Sequence, residues 1–175
     1  MNFCRYPSSA QDLGEAGWPY GCHTCEVEID PDTGVVELVR HCAVDDVGRA
    51  VNPMIIHGQT HGGIAQGVGQ ALIEHCFYEG DTGQQLAGSF MDYAMPRADM
   101  LPFFVTEISE VPSTTHPLGI RPAGEGGTTP ALAVVIGAIV DALAEFGVTH
   151  MEMPATPERI WRAIHGLPHR SRTEV

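Results

Sequence analysis

Polar and apolar residues alternate through Glu26-Val27-Glu28-Ile29-Asp30, and that period of two predicts a half-buried strand over residues 22–30. Pro31-Asp32-Thr33-Gly34 follows as a turn, because proline presets one dihedral and glycine accepts positive φ. Residues 35–44 are rich in β-formers and complete a hairpin. Asp45-Asp46-Val47-Gly48-Arg49 reads as a polar loop. Asn52-Pro53 then opens a helix, with asparagine as N-cap and proline at the first helical position, and the helix is expected to run to about Cys76. Its middle is glycine-rich: Gly62, Gly63, Gly67 and Gly69 each cost about 0.5–1 kcal/mol against alanine and need a compensating contact. Close packing of a second helix is the commoner reason, and close approach of a ligand is the other.

Residues 89–96 predict an extended, half-buried segment, and residues 103–109 another strand. Residues 131–140 are almost wholly apolar, which predicts a buried helix reaching about Phe146, with Gly147 as its C-cap. Thr156-Pro157 starts a short closing helix. The pattern predicts an α+β fold: a mixed sheet containing a hairpin, a glycine-rich helix and a second apolar helix. Residues 1–20 read as a flexible or partner-bound leader, 21–165 as the folded unit and 166–175 as a polar tail.

Composition narrows the function. A net charge of −13 would repel a phosphate backbone, so nucleic acid and anionic membranes are disfavoured as partners. Five cysteines, an odd number, with no signal peptide or long apolar span, suggest a reduced, cytoplasmic setting. Cys22-x-x-Cys25 is half of a zinc site at most, and residues three apart on a strand face opposite ways. His57 and His61 share a helix face at i, i+4, but the residue after the first histidine is Gly58, where a metalloprotease carries its glutamate. Gly67-x-Gly69 lacks the third glycine of a dinucleotide fingerprint, and Gly124-Glu125-Gly126-Gly127-Thr128 lacks the lysine of a phosphate loop. Two features remain: Gln66 in the glycine-rich helix, and Glu125 in a glycine-rich loop before the apolar helix. One offers an amide to a polar ligand, and the other a carboxylate suited to general-base work.

At these residues the chain resembles the C-terminal part of the molybdenum-binding large subunit of the molybdenum hydroxylases, the family of xanthine dehydrogenase, aldehyde oxidoreductase and aerobic carbon monoxide dehydrogenase. The markers are Glu28-Ile29-Asp30-Pro31-Asp32-Thr33-Gly34, Asp45-Asp46-Val47-Gly48-Arg49, the run from Gly58 to Leu72, Met91-Asp92-Tyr93-Ala94-Met95-Pro96, Gly124-Glu125-Gly126-Gly127 and Pro154-Ala155-Thr156-Pro157-Glu158-Arg159-Ile160-Trp161. They occur in the family's order over most of the chain. The resemblance implies that Glu125 is the active-site base in oxidative hydroxylation of an aldehyde, N-heterocycle or similar small molecule. It implies that Gln66, Gly67, Gly124, Gly126, Gly127 and Thr128 lie against a molybdenum–molybdopterin cofactor, in its cytosine dinucleotide form. FAD and [2Fe-2S] clusters are expected on partner chains, and the rest of the molybdenum subunit on a further segment or polypeptide, so the chain alone is expected to be inactive. Arg121-Pro122 departs from the lysine-glycine usual ahead of the loop. The alternatives are a truncated, non-catalytic interaction domain, or a small zinc hydrolase using His57 and His61.

Overall fold

A computed structural model describes residues 17–168. The order of elements is β1 (Tyr20–Ile29), β2 (Val36–Asp46), α1 (Pro53–Leu72), β3 (Val105–Ser109), α2 (Thr128–Ala142) and α3 (Pro157–Ile164). The three strands form one mixed sheet in the order β1-β2-β3, antiparallel between β1 and β2 and parallel between β2 and β3. The expected α+β architecture, the hairpin and both large helices are present. Of the expected leader and tail, residues 1–16 and 169–175 lie outside the described residues.

Local chemistry explains the boundaries. In the hairpin turn, the Asp30 carboxylate accepts from Asp32 N at 3.0 Å and from the Thr33 hydroxyl at 2.7 Å, and Gly34 closes the turn at φ +73°. Asn52 Oδ1 caps α1 by accepting from Ile55 N at 3.3 Å, and Thr156 caps α3 by accepting from Arg159 N at 3.4 Å. Helix α1 stops at Leu72, short of the expected Cys76. There the N–H groups of Ile73 and Glu74 both turn back onto the Gly69 carbonyl, at 2.9 and 2.8 Å. The returning chain then seats Pro96 against Gly69, where a Cβ would stand 2.7 Å from the ring. Gly147 does close the second apolar element at φ +77°, although α2 itself ends at Ala142 and a short 3₁₀ turn intervenes over Ala144–Phe146.

Two sequence expectations are corrected. Residues 89–96 are turned rather than extended: Ser89 O accepts from Asp92 N and Tyr93 N, and the Ser89 hydroxyl donates to Asp92 at 2.6 Å. Such a local side-chain bond competes with strand pairing. Phe90 and Met91 are then left 87% and 93% exposed. Asp45 and Asp46, read as loop residues, end β2 and are buried.

The core joins Ile64, Val68 and Ala71 of α1 to Val135 and Ile139 of α2, Leu38 and Ala43 of β2, Phe104, and Ile160 of α3. Burial of each large aliphatic side chain contributes about 1.5–3 kcal/mol. Glycines let the two main helices meet closely. A Cβ on Gly63 would stand 2.9 Å from Thr128 N, and one on Gly67 would stand 2.7 Å from both Ala131 Cβ and the Thr128 carbonyl. This contact fixes the start of α2, and therefore the loop before it.

Candidate functional site

The loop of residues 118–127 enters from an ordered frame. Gly119 lies at φ +70°, and its carbonyl accepts from Arg49 N at 2.9 Å and Ser113 N at 3.0 Å. Arg121 N donates to Val47 O at 2.8 Å. Gly48, at φ +64°, leaves room for the Gly119 carbonyl and Arg121, which a side chain there would strike.

Arg121 is the loop's main anchor. Its Nε lies 3.4 Å from Asp46 Oδ2 and donates to the Val111 carbonyl at 3.2 Å. Its Nη1 donates to the Trp18 carbonyl at 3.1 Å, and the guanidinium sits 4.7 Å over the Tyr20 ring. Asp46 Oδ1 meanwhile accepts from Gly48 N and Val111 N, at 2.9 and 3.0 Å. The arginine that departs from the usual lysine thus uses a planar fork to tie the N-terminal stretch, the end of β2 and the loop together. A lysine's point charge would not span these acceptors in one plane.

Beyond Arg121 the chain lines an open cleft of about 780 Å³. Trp18, Tyr20, Pro122 and Pro130 give it apolar walls, and Asp45 and Glu125 give it carboxylates. Glu125 is exposed, and its carboxylate accepts no hydrogen bond from the described residues. Its backbone carbonyl accepts from Thr128 N at 3.1 Å, which starts α2 without a side-chain cap.

The sequence-predicted residues divide between two places. Gly124, Glu125 and Gly126 line the cleft. Gly127 is buried against the Thr60 carbonyl of α1, and Thr128 lies beside Gly63. Gly67 is buried under α2. Gln66 is exposed on a different face of α1, in line with Gly58 and Gly62, and is not part of the cleft wall. A Cβ on Gly58 or on Gly62 would meet nothing within 4 Å.

The zinc alternatives find no support. His57 Nδ1 and His61 Nε2 both meet the Thr106 hydroxyl, at 2.8 and 3.1 Å, and so clamp β3 to α1. Cys22 is exposed on one face of β1, while Cys25 packs toward the core on the other. Burial, and secondarily the charge of Glu26, push the Cys25 thiol up to about 11. Among the described residues, no group of three or more histidine, cysteine, aspartate or glutamate side chains is arranged to hold a metal ion.

The sequence reading passed over two residues beside the cleft. The His23 side chain is 1% exposed and its Nε2 lies 3.1 Å from Asp45 Oδ1. The period of two that placed Val27 and Ile29 on the core face also places His23 there, and that was the available signal.

Comparison with known proteins gives this arrangement its context. Residues 3–102 match the sequence model of the molybdopterin cofactor-binding domain. The nicotine 6-hydroxylase large subunit of Paenarthrobacter nicotinovorans is 38% identical over 160 residues, which are 91% of this chain and 20% of the relative. The carbon monoxide dehydrogenase large chain of Hydrogenophaga pseudoflava is 37% identical over 147 residues, 84% of this chain and 18% of the relative. Among solved structures, the Cu,Mo-CO dehydrogenase superposes with a TM-score of 0.81 at 34% identity, covering 90% of this chain and 19% of that one. Quinoline 2-oxidoreductase from Pseudomonas putida 86 superposes with a TM-score of 0.80 at 41% identity, covering 85% and 19%. The chain therefore spans about a fifth of the length of the curated relatives it matches. With its sequence match over residues 3–102 and its fold shared along nine-tenths of its length, the chain belongs to the molybdopterin cofactor-binding domain family.

Proposed function

We propose that this chain is the segment of a molybdenum hydroxylase large subunit that supplies the general base, Glu125, and part of the cofactor cradle. The observation that carries the reading is the Glu125 carboxylate, which has no hydrogen-bond partner among the described residues and stands in a mostly apolar cleft. A carboxylate held only for the dipole of α2 would gain about 0.3–1 kcal/mol and would need no cleft in front of it.

The residues present also fit a cofactor. Gly58 and Gly62 carry the helix cost of glycine with no atom of the described residues occupying the space it leaves, beside the exposed Gln66 amide. Gly124 is likewise open. These positions, with Gly126 and Gln66, would hold the molybdopterin group, whereas Gly67, Gly127 and Thr128 would set the spacing of α1 and α2 behind it. When bound, the group supplies two-electron redox chemistry with oxygen derived from water. Glu125 receives a proton at its carboxylate, the apolar cleft walls pack against the substrate, and Arg121 keeps the loop in place.

We further propose oxidative hydroxylation of an aldehyde, an N-heterocycle or a similar small molecule, in a reducing, cytoplasmic setting. Iron–sulfur and FAD partner chains would take the electrons. Relatives of comparable identity are named for nicotine, carbon monoxide and quinoline, so identity alone does not choose the substrate. The test is Glu125→Gln in the complex assembled with the remaining subunits. Molybdenum content should be unchanged, and turnover should fall by at least the roughly 10²–10⁴-fold typical of general-base removal. Near-normal turnover at matched molybdenum content would reject the assignment and leave an interaction domain as the better reading.

A further inference from the structure

Behind the cleft wall lies a line of three side chains that the proposed function does not use. Asp45 Oδ1 meets His23 Nε2 at 3.1 Å, and His23 Nδ1 meets His41 Nε2 at 3.2 Å. His41 is fully buried, edge-on to Phe104 with ring centroids 5.9 Å apart, and its Nδ1 is buried without a hydrogen-bond partner. At the other end Asp45 lines the cleft, and among the described residues its Oδ2 accepts no hydrogen bond. A Cβ on Gly126 would stand 4.0 Å from Oδ2, so this oxygen lies beside the loop that carries Glu125. Gly21 is the residue that makes room for the carboxylate, because any side chain there would overlap Oδ1.

The chemistry of the groups fixes the first bond and the burial of the last ring atom favours one direction for the second. A carboxylate only accepts, so His23 Nε2 carries the proton and donates. With His41 Nε2 donating to His23 Nδ1, a lone pair rather than an N–H of His41 is left at the buried Nδ1. The reverse order would bury an unsatisfied N–H at that atom and turn a ring lone pair toward the carboxylate. Burial foremost, and the neighbouring His23 next, push His41 down to about 4 against the opposing pull of Asp45, which keeps the terminal ring neutral.

We propose that His41 and His23 are positioning residues that lock the Asp45 carboxylate against the cleft wall, with Oδ2 aimed at the cleft to accept from an N–H donor on a planar ring group. The planar ring follows from the aromatic and proline walls around the carboxylate, Trp18, Tyr20, Pro122 and Pro130. Glu125 lines the same cleft, so a ring with donors on adjacent edges could engage both acids. This assignment stands apart from the molybdenum reading: a chain that retained no molybdenum would still hold the locked carboxylate.

The experiment is nitrogen NMR of the 175-residue chain labelled with ¹⁵N-histidine, with benzamidine as the probe and benzoate as its acidic control. His23 should carry a proton at Nε2, and His41 should appear as a neutral Nε2–H tautomer. Benzamidine should shift the His23 Nε2–H signal, and should continue to do so in Glu125→Gln. Benzoate should leave the signal in place. Asp45→Asn should weaken benzamidine at least tenfold. His41→Phe should release the lock, so that His23 shows a mixture of tautomers. An Nδ1–H tautomer at either ring would overturn the proposal, as would equal binding of benzoate or benzamidine binding that survives Asp45→Asn. Benzamidine binding that vanishes with Glu125→Gln would also overturn it. If Asp45→Asn does not fold, the wild-type tautomers and the ligand-induced shift at His23 still decide the matter.

Discussion

Gly62 and Gly67 lie five residues apart on α1, and replacing each with alanine should move stability in opposite directions. At Gly62 a Cβ meets nothing within 4 Å, so Gly62→Ala only removes the helix cost of glycine, a gain of about 0.5–1 kcal/mol. At Gly67 the same Cβ would lie 2.7 Å from Ala131 Cβ and 2.7 Å from the Thr128 carbonyl. Both contacts are stiff, one a backbone oxygen and the other a first side-chain carbon. Carbon atoms settle about 3.5–4.0 Å apart, so α1 and α2 would have to part by about 1 Å. That separation loosens Ile64, Val68, Val135 and Ile139, which are fully or almost fully buried. Overpacking of this kind costs about 1–3 kcal/mol, and the stiff neighbours place Gly67→Ala in the upper half of that range. After the helix gain is subtracted, a net loss of about 1–2 kcal/mol remains. At about 2–4 °C per kcal/mol for a domain of this size, the two variants should melt roughly 3–12 °C apart, with wild type between them. Thermal melts of the purified chains measure this directly. Two shifts of the same sign, or a destabilised Gly62→Ala, would refute the assignment of one glycine to packing and the other to open space.

Gly34→Ala should destabilise the hairpin by about 1 kcal/mol or more, because φ is +73° and the new Cβ would run into the Pro157 carbonyl of α3; urea melts measure the loss. Stability should fall as pH drops from about 6.5 to about 4 by up to about 3 kcal/mol on account of His41, because the unfolded chain takes up the proton that the buried ring refuses. The sign is that of a base whose folded pKa is depressed, and the difference in pH profile between wild type and His41→Phe isolates the contribution. The chain by itself should bind a hydrophobic dye or self-associate, since Phe90, Met91 and Phe103 are each more than four-fifths exposed; a dye-negative monomer in analytical ultracentrifugation would contradict this.

Much of the frame was legible because it follows from local chemistry. Asn52-Pro53 and Thr156-Pro157 start helices, and Pro31 to Gly34 forms a turn, through bonds between near neighbours. The site was legible only in part. Glu125 was recognisable from its glycine-flanked loop, and it does line a cleft. Arg121 was visible only as a departure from the usual residue, because two of its acceptors, Trp18 and Asp46, lie far away in sequence. The pairing of His23 with Asp45 escaped for the same reason: the two meet across 22 residues through strand pairing, and the marker that contains Asp45 says nothing of His23. Residues 89–96 misled because their apolar side chains suggested burial, whereas Ser89 and Asp92 folded the backbone locally.

The glycines of α1 show how structure separates two meanings that a sequence leaves merged. Read as a string, Gly58 to Gly69 is a single feature with a single cost. In three dimensions, Gly63 and Gly67 admit α2, and Gly69 admits Pro96 and Glu74. Close packing, the commoner reason, therefore accounts for three of them. It does not account for Gly58 and Gly62, whose missing side chains make no room for any described part of the chain. Those two share the helix face of Gln66, the residue whose exposed amide the family resemblance assigns to the cofactor. If the open face receives that group, Gly62→Ala should stabilise the isolated chain and yet lower molybdenum retention in the assembled complex. A residue that served stability alone could not move the two measurements in opposite directions. Alanine at Gly62 that leaves molybdenum content unchanged would remove the cradle from this face and leave the cleft at Glu125 as the only part of the site that this chain supplies.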